Sequence, residues 1–500
     1  MFRRVLGLLL GLMLALLPAL GMAQTSFTMA GFDGQDTTRT WEGNGFFTRM
    51  EARTGVSFTF QQYTDAAKWQ AAKEAMFADG GEMPDVLFKA ALSTNELIKY
   101  TDGGQLIDLL PLLPENAPNL WALLQENPEW LDAITLPNGK VGALPTIHEI
   151  APQNAMWINK AWLDKLKLQM PTDMESLHKV LTAFRDRDPN GNGKEDEIPM
   201  MFLGPWELKF FGHAWGAVAN DFNIYLDENG LVQYWPQEES FFDMARTLRG
   251  MYADELLDPL GFNTNDTLRR VNDSEADITY GAFFAPSPVT LLPYSAGADD
   301  YVVMGPFEYE GKTIYRDLVG HLTRGVFAIT SACEDPAALL RWVDVLYTEE
   351  GAIEALAGEK DVNYYFRDDG RWDWVGGAEA LGLDGLSNLT VYDTGDMPWM
   401  FPQAFNDLYY EENVGRLSAE LKALQEKTVQ PFPVYTLTAE ETEYVSALQL
   451  ELGKYVDETL GRMVLGQIEI NDETRAAFLE GLNERGVEEM IAFWQEIAQR

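Results

Sequence analysis

The chain has 500 residues, 46% hydrophobic and 12% aromatic, which is enough for a large core in about two or three domains and argues against disorder. Its formal charge of −41 repels phosphate backbones and anionic lipid headgroups, so nucleic acid and membrane surfaces are disfavoured as partners. A single cysteine, Cys333, rules out an internal disulfide.

Residues 1–23 read as a secretory signal peptide. Arg3 and Arg4 precede the apolar run Val5 to Leu17, then Pro18 and a small-x-small ending at Gly21 to Ala23. The competing reading is a membrane anchor, but the run is short of the ~20 apolar residues that a spanning helix needs. No cysteine follows the run, so a lipoprotein attachment point is lacking. The expectation is an exported protein, periplasmic or extracellular.

SFTMAGF (26–32) and VSFTFQQY (56–63) read as strands. Between them, Trp41, Phe46, Phe47 and Met50 recur at helical spacing. A helix over 69–80, the buried strand PDVLFKA (84–90) and a helix from Thr94 to Tyr100 complete a βαβα run. Residues 139–149 and 151–160 are extended again. The stretch 171–188 is a helix, with Thr172 and Glu175 as a capping box and Leu177, Val180, Leu181 and Phe184 as its apolar stripe. Residues 276–284 and 321–330 read as strands and 336–347 as a helix, and 413–500 is mostly helical.

FRDRDPNGNGKEDEIP (184–199) follows the 171–188 helix. Asp186, Asp188, Asn190, Asn192, Glu195, Asp196 and Glu197 crowd around Gly191 and Gly193. A hard cation such as calcium wants about six to eight oxygens from a tight loop with a glycine at the bend. Two registers fit, one starting at Asp186 and one at Asp188. With no second helix pair, the loop reads as a structural clip rather than a sensor.

No GxSxG, HExxH, P-loop or GxGxxG setting occurs. With 78 acids, a carboxylate pair for glycoside hydrolysis stays open but no motif marks one. Several of the 14 tryptophans and other aromatics sit in loops beside Gly or Pro: Trp206, Phe283, Phe284, Trp372, Trp374 and Trp399. As a set they suit a carbohydrate-sized cleft, because sugar C–H faces stack on aromatic rings. His148-Glu149 is either a ligand contact or a crossover.

GGEMPDVLF (80–88), ELIKYTDGGQLIDL (96–109), APNLWALLQENPEW (117–130), PNGKVGALP (137–145), MWINKAWLDKLKLQMPTDMESLHKVLTAF (156–184), DPNGNGKEDEIPM (188–200) and EDPAALLRWVDVLYTEEGAIEAL (334–356) together resemble the extracellular solute-binding proteins, family 1, of sugar ABC transporters, in the long branch with an EF-hand-like calcium loop. The resemblance implies an α/β, two-lobe periplasmic-binding-protein fold (type II, Venus-flytrap) with hinge strands and a mostly helical C-terminal part. It implies a first lobe from 24–147 plus 318–352 and a second from 148–317 plus 353–500, carrying the calcium loop at 186–197. Its metal register is the second: Asp188, Asn190, Asn192, the Lys194 carbonyl, Asp196 and Glu197. Its cleft contacts would be Phe32, Asp33, Lys89, Ser93, His148, Glu149, Trp206 and Phe284, and the local aromatic reading adds Trp399. The implied function is capture of a carbohydrate, an oligosaccharide, by a monomer that delivers it to an ABC permease, without enzymatic turnover. The alternative is a secreted calcium-stabilised glycan hydrolase. The sequence departs from the family pattern in lacking the lipobox cysteine. It also carries Lys89 where an aromatic is usual, which opens the ligand to acidic or otherwise polar molecules.

Overall fold

The computed structural model describes residues 25–499 except 36, 152–153, 274–279, 293–296, 318–320, 393–396, 434 and 436. The apolar leader over 1–23 lies outside the described residues, as does part of the 276–284 strand expectation. Among the described residues no helix is long and apolar enough to cross a membrane.

Two separate sheets define two lobes. The first runs in the order Val56–Tyr63, Thr25–Phe32, Val86–Phe88, Leu322–Ile329, Leu144–Ile147. Its first three strands are parallel, and Leu322–Ile329 returns antiparallel between Val86–Phe88 and Leu144–Ile147. Parallel strands covered on both faces read as unbroken apolar runs, and Val86–Phe88 is buried at every position. One face packs Phe46, Phe47, Leu120, Leu124 and Trp342; the other packs Trp69, Leu97 and Tyr100. The second sheet runs Tyr301–Val303, Ala155–Asn159, Tyr280–Ala285, Ile198–Met200. Its core also holds the C-terminal helices, through Val456, Leu460, Phe478 and Trp494 among others.

The helix expected over 171–188 forms as Met174–Asp186, and Leu177, Val180, Leu181 and Phe184 are buried as its stripe. Its capping box lies one residue later than the sequence suggests. Ser176 N–H donates to Asp173 Oδ1 at 2.7 Å, and the Ser176 hydroxyl oxygen accepts from Asp173 N–H at 3.1 Å. An ionised acceptor at the helix start outcompetes the Thr172 hydroxyl.

The family resemblance implies a second lobe that includes 353–500, and the packing differs. Ala355, Val391, Met397 and Trp399 are buried in the first lobe's core, and the second core takes over at Leu417. Leu144–Ile147 would otherwise leave an open sheet edge. The returning chain covers it: Ile147 N–H donates to Trp399 O at 2.8 Å, and Phe401 N–H donates to Ile147 O at 2.9 Å. The third crossing between lobes therefore falls beyond Phe401, not near 352.

A buried charge knot fixes this return. The Asp33 carboxylate, 0% exposed, accepts from Arg39 Nε at 2.7 Å, Gln62 Nε2 at 3.0 Å and Lys89 Nζ at 2.9 Å. The two cations then reach the returning segment. Lys89 Nζ donates to Val391 O at 3.1 Å, and Arg39 Nη1 donates to Tyr392 O at 3.0 Å. Breaking such a buried pair by removing one partner costs about 3–5 kcal/mol, so the knot holds 391–392 against the end of the first strand.

Candidate ligand cleft

The lobes meet where the three crossings lie side by side. His148 N–H donates to His321 O at 2.8 Å, and His321 Nδ1 bonds His148 O at 2.7 Å, which requires the proton on Nδ1. Burial, with the neighbouring His321, holds the His148 imidazole below its ordinary pKa. The second lobe is tied to the hinge through Gln425, at the end of the helix Glu412–Gln425, which accepts from Ala151 N–H at 2.9 Å and donates to Glu149 O at 3.3 Å. Lys422 Nζ lies 3.3 Å from both Glu149 and Asp407.

Beside this hinge is a cavity of about 580 Å³ with walls from both lobes. The helix Pro128–Ile134 supplies Glu129, Trp130 and Asp132. The start of the Leu322–Ile329 strand supplies Arg324, and the crossing supplies Asp317 and His321. Gln430, Pro433 and Tyr435 close the side of the second lobe. The Trp130 and His321 rings lie tilted at 36° with centroids 5.9 Å apart. A smaller pocket of about 200 Å³ shares Asp317, Gln430, Pro433 and Tyr435 and runs on to Phe222 and Trp494.

A bulge aims Arg324. The pairing of Leu322–Ile329 with Leu144–Ile147 shifts register between Thr323 and Phe327. Gly325 takes φ +74°, and a Cβ there would stand 2.2 Å from Leu92 O, so only glycine fits. Arg324 Nη1 donates to Ala133 O at 3.3 Å, at the C-terminal end of the Pro128–Ile134 helix, where a cation suits the helix dipole.

None of the residues expected from the sequence lines this cavity; His148 reaches it only through His321. Phe32 packs half-buried beside the small core around Trp69. Asp33 and Lys89 are consumed by the knot, at 0% and 3% exposure. Lys89 is thus enclosed by Asp33 and Val391 and offers no cationic contact to an acidic ligand in this cavity. Ser93 caps the helix Thr94–Asp102 through Glu96. Glu149 is at the hinge surface. Trp206 is half-buried and edge-on to Phe210 at 5.6 Å. Phe284 is 1% exposed against Phe210 and Phe211, and Trp399 is 1% exposed beside Tyr392 and Phe401. Neither face is open to a sugar, because both side chains pack into a core. Trp372 belongs to a second small core with Phe405, and Trp374 packs partly buried against it. The sequence reasoning missed Trp130 and Tyr435. Tyr435, in PFPVY, carries the same loop-aromatic signal that singled out Trp206.

The 188–197 loop is built from its own side chains. Asp188 sits at φ +44° and accepts from Gly191 N–H at 2.8 Å and Gly193 N–H at 3.2 Å. Asn190 Oδ1 and Asn192 Oδ1 accept from Asn192 N–H at 2.9 Å and Lys194 N–H at 2.8 Å, and both carboxamides donate to Asp196. Glu197 Oε1 is buried without a partner, and burial, with Asp188 and Asp196 nearby, raises its carboxyl pKa. An orphaned buried carboxylate oxygen between two acids fits a hard cation. Among the described residues no three His, Cys, Asp or Glu converge as a metal site, so the Asn oxygens and the Lys194 carbonyl would have to complete it. Asp186 is engaged by Arg185 Nε at 2.7 Å, which favours the Asp188 register.

No family model matches the chain. The fructooligosaccharide ABC transporter substrate-binding protein FusA of Streptococcus pneumoniae serotype 4 is 25% identical over 436 residues, which are 82% of this chain and 78% of that protein. The structure of an EF-hand mutant of S. pneumoniae FusA in complex with fructo-nystose superposes with a TM-score of 0.71 at 20% identity, covering 95% of this chain and 99% of that one. An extracellular solute-binding protein from Bifidobacterium longum subsp. infantis superposes with a TM-score of 0.76 at 20% identity, covering 95% and 98%. The chain has the two-lobe solute-binding-protein fold and is similar in sequence, over most of its length, to a substrate-binding protein of an ABC transporter.

Glu207, next to Trp206, gives the second lobe a pH dependence. It is 1% exposed, its carboxylate accepts from Leu203 N–H at 2.6 Å, and burial pushes its pKa up to about 8. Folded-state pKa above unfolded means stability is full below about 4.5 and is lost as pH rises towards about 8. Urea denaturation of Glu207→Gln should show a shallower fall in stability across that window than wild type; parallel pH profiles would contradict the assignment.

Proposed function

We propose that this chain, a relative of the ABC-transporter substrate-binding proteins with their two-lobe fold, captures an oligosaccharide in the interlobe cavity and hands it to a membrane permease. The observation that carries the reading is the cavity of about 580 Å³ between the lobes, with Trp130 on one wall and Tyr435 on the other, beside a three-stranded hinge. Its size lies within the range of small-molecule sites. Aromatic faces with carboxylate, amide and guanidinium groups around them suit stacked sugar rings and their hydroxyls. Contacts from both lobes favour the closed arrangement only when ligand is bound, which gives the permease a liganded form to recognise. We assign residues 24–147, 318–352 and 353 to about 405 to the first lobe and the remainder of the exported chain to the second. His148 and Glu149 act in the hinge. The protein works outside the cytoplasm, as a monomer.

Binding without turnover separates this reading from a glycan hydrolase. Calorimetry against a panel of labelled oligosaccharides should give saturable binding with intact sugar recovered; product formation would contradict it. In Trp130→Ala the affinity should fall by about 2 kcal/mol, roughly thirty-fold, with the circular dichroism spectrum unchanged. Unaltered affinity would remove the cavity as the site.

Calcium is proposed for the loop, held by Asp188, Asn190, Asn192, the Lys194 carbonyl, Asp196 and Glu197, in a structural role. The supporting features are the orphaned Glu197 oxygen and the donor chemistry of the loop. Titrating chelator-treated protein should show calcium uptake and a higher melting temperature, both lost in Asp196→Ala. No heat and no thermal shift would rule the metal out.

A further inference from the structure

The charge on the cavity wall is lopsided. Glu129, Asp132 and Asp317 line it, and none of the three forms an ion pair among the described residues. One guanidinium, Arg324, faces them, and it already bonds Ala133 O at the helix end. The neighbouring cation is not available either. Arg316 binds Asp221, donates to Ala219 O at 3.0 Å and lies over the Phe210 ring at 4.2 Å. His321 spends Nδ1 on His148 O.

Asp317 stands apart from the other two acids. Its backbone is fixed, because its N–H donates to Val429 O at 2.9 Å. Its Oδ1 is buried and has no hydrogen-bond partner among the described residues, and Asp317 borders both the larger cavity and its extension. A carboxylate with an unmade acceptor is costly, so a ligand that supplies a donor to the side of Asp317 that borders the cavity gains. A charged donor gains roughly twice what a neutral hydroxyl does. The three acids do not converge as a metal site, so an organic cation fits better than an ion. Trp130 and Tyr435 on opposite walls suit the same choice, since aromatic faces attract ammonium groups as well as sugar C–H faces.

We infer that the cavity prefers saccharides bearing a protonated amine, rejects uronate-bearing ones, and reads the amine through Asp317. This rests on the cavity being a saccharide site. Glu129 and Asp132, both exposed, contribute a negative rim that steers cationic ligands inward and weakens with salt. Asp317 supplies the charge-assisted hydrogen bond itself.

The test is calorimetry near neutral pH with three trimers of equal length: the N-acetylglucosamine trimer, its fully de-N-acetylated glucosamine form, and trigalacturonate. The glucosamine trimer should bind at least about tenfold tighter than its acetylated form, and trigalacturonate should give no heat. In Asp317→Asn the two glucosamine-based trimers should bind about equally, with the melting temperature unchanged. No binding of the glucosamine trimer, equal or tighter binding of the acetylated one, binding of trigalacturonate, or a preference that survives in Asp317→Asn would each overturn the inference. Neutral oligosaccharides bound in the cleft without an amine preference would sink the inference alone. Failure of every saccharide class would sink the saccharide reading beneath it as well.

Discussion

Two hydrogen bonds between His148 and His321, one backbone to backbone and one from the His321 ring to the His148 carbonyl, set the geometry on which the rest of the molecule depends. They pin the first two crossings together at the end of the first sheet. Trp399 and Phe401 extend that sheet edge through Ile147, so the third pass joins the same seam. Three crossings held side by side give the proposed closure one line to bend about. The cavity lies directly beside that line, with His321 shared between hinge and wall. A small rotation there moves Tyr435 relative to Trp130, which is the displacement a two-lobed capture site needs.

The charge inventory explains why the cleft is acidic. With 37 basic residues against 78 acidic ones, cations are scarce and several are spent on structure. Arg39 and Lys89 hold the returning segment, Arg316 anchors Asp221, and Arg324 closes a helix end. Those positions are buried or half-buried, where an unpaired carboxylate or carbonyl would be expensive. The surplus acids are left on surfaces and rims. Acids on the rim of a pocket set the local field.

Much of the fold was legible because its signals are local. The strand and helix periods, the glycine stops and the Met174–Asp186 stripe each occupy a short stretch of chain. The Asp188 loop was legible for the same reason, since its donors and its bends lie within ten residues. The cleft was not, because its walls come from three separate stretches, represented by Trp130, by Asp317 and His321, and by Gln430 and Tyr435. Their proximity follows from strand order and from a bulge at Gly325 that no residue pattern announces. The loop-aromatic signal misfired at Phe284 and Trp399 because a ring beside Gly or Pro can still face inward once its segment joins a sheet. Lys89 misled in a related way. A lysine at a strand end looks solvent-facing in sequence, whereas here Asp33 and Val391 enclose it.

The central claim is that ligand is held between two lobes that close about the hinge. Small-angle X-ray scattering on the whole protein, with and without a saturating oligosaccharide identified by calorimetry, measures this directly. The account predicts a smaller radius of gyration in the bound state, reversed when the sugar is removed. Superimposable scattering curves at proven saturation would contradict it.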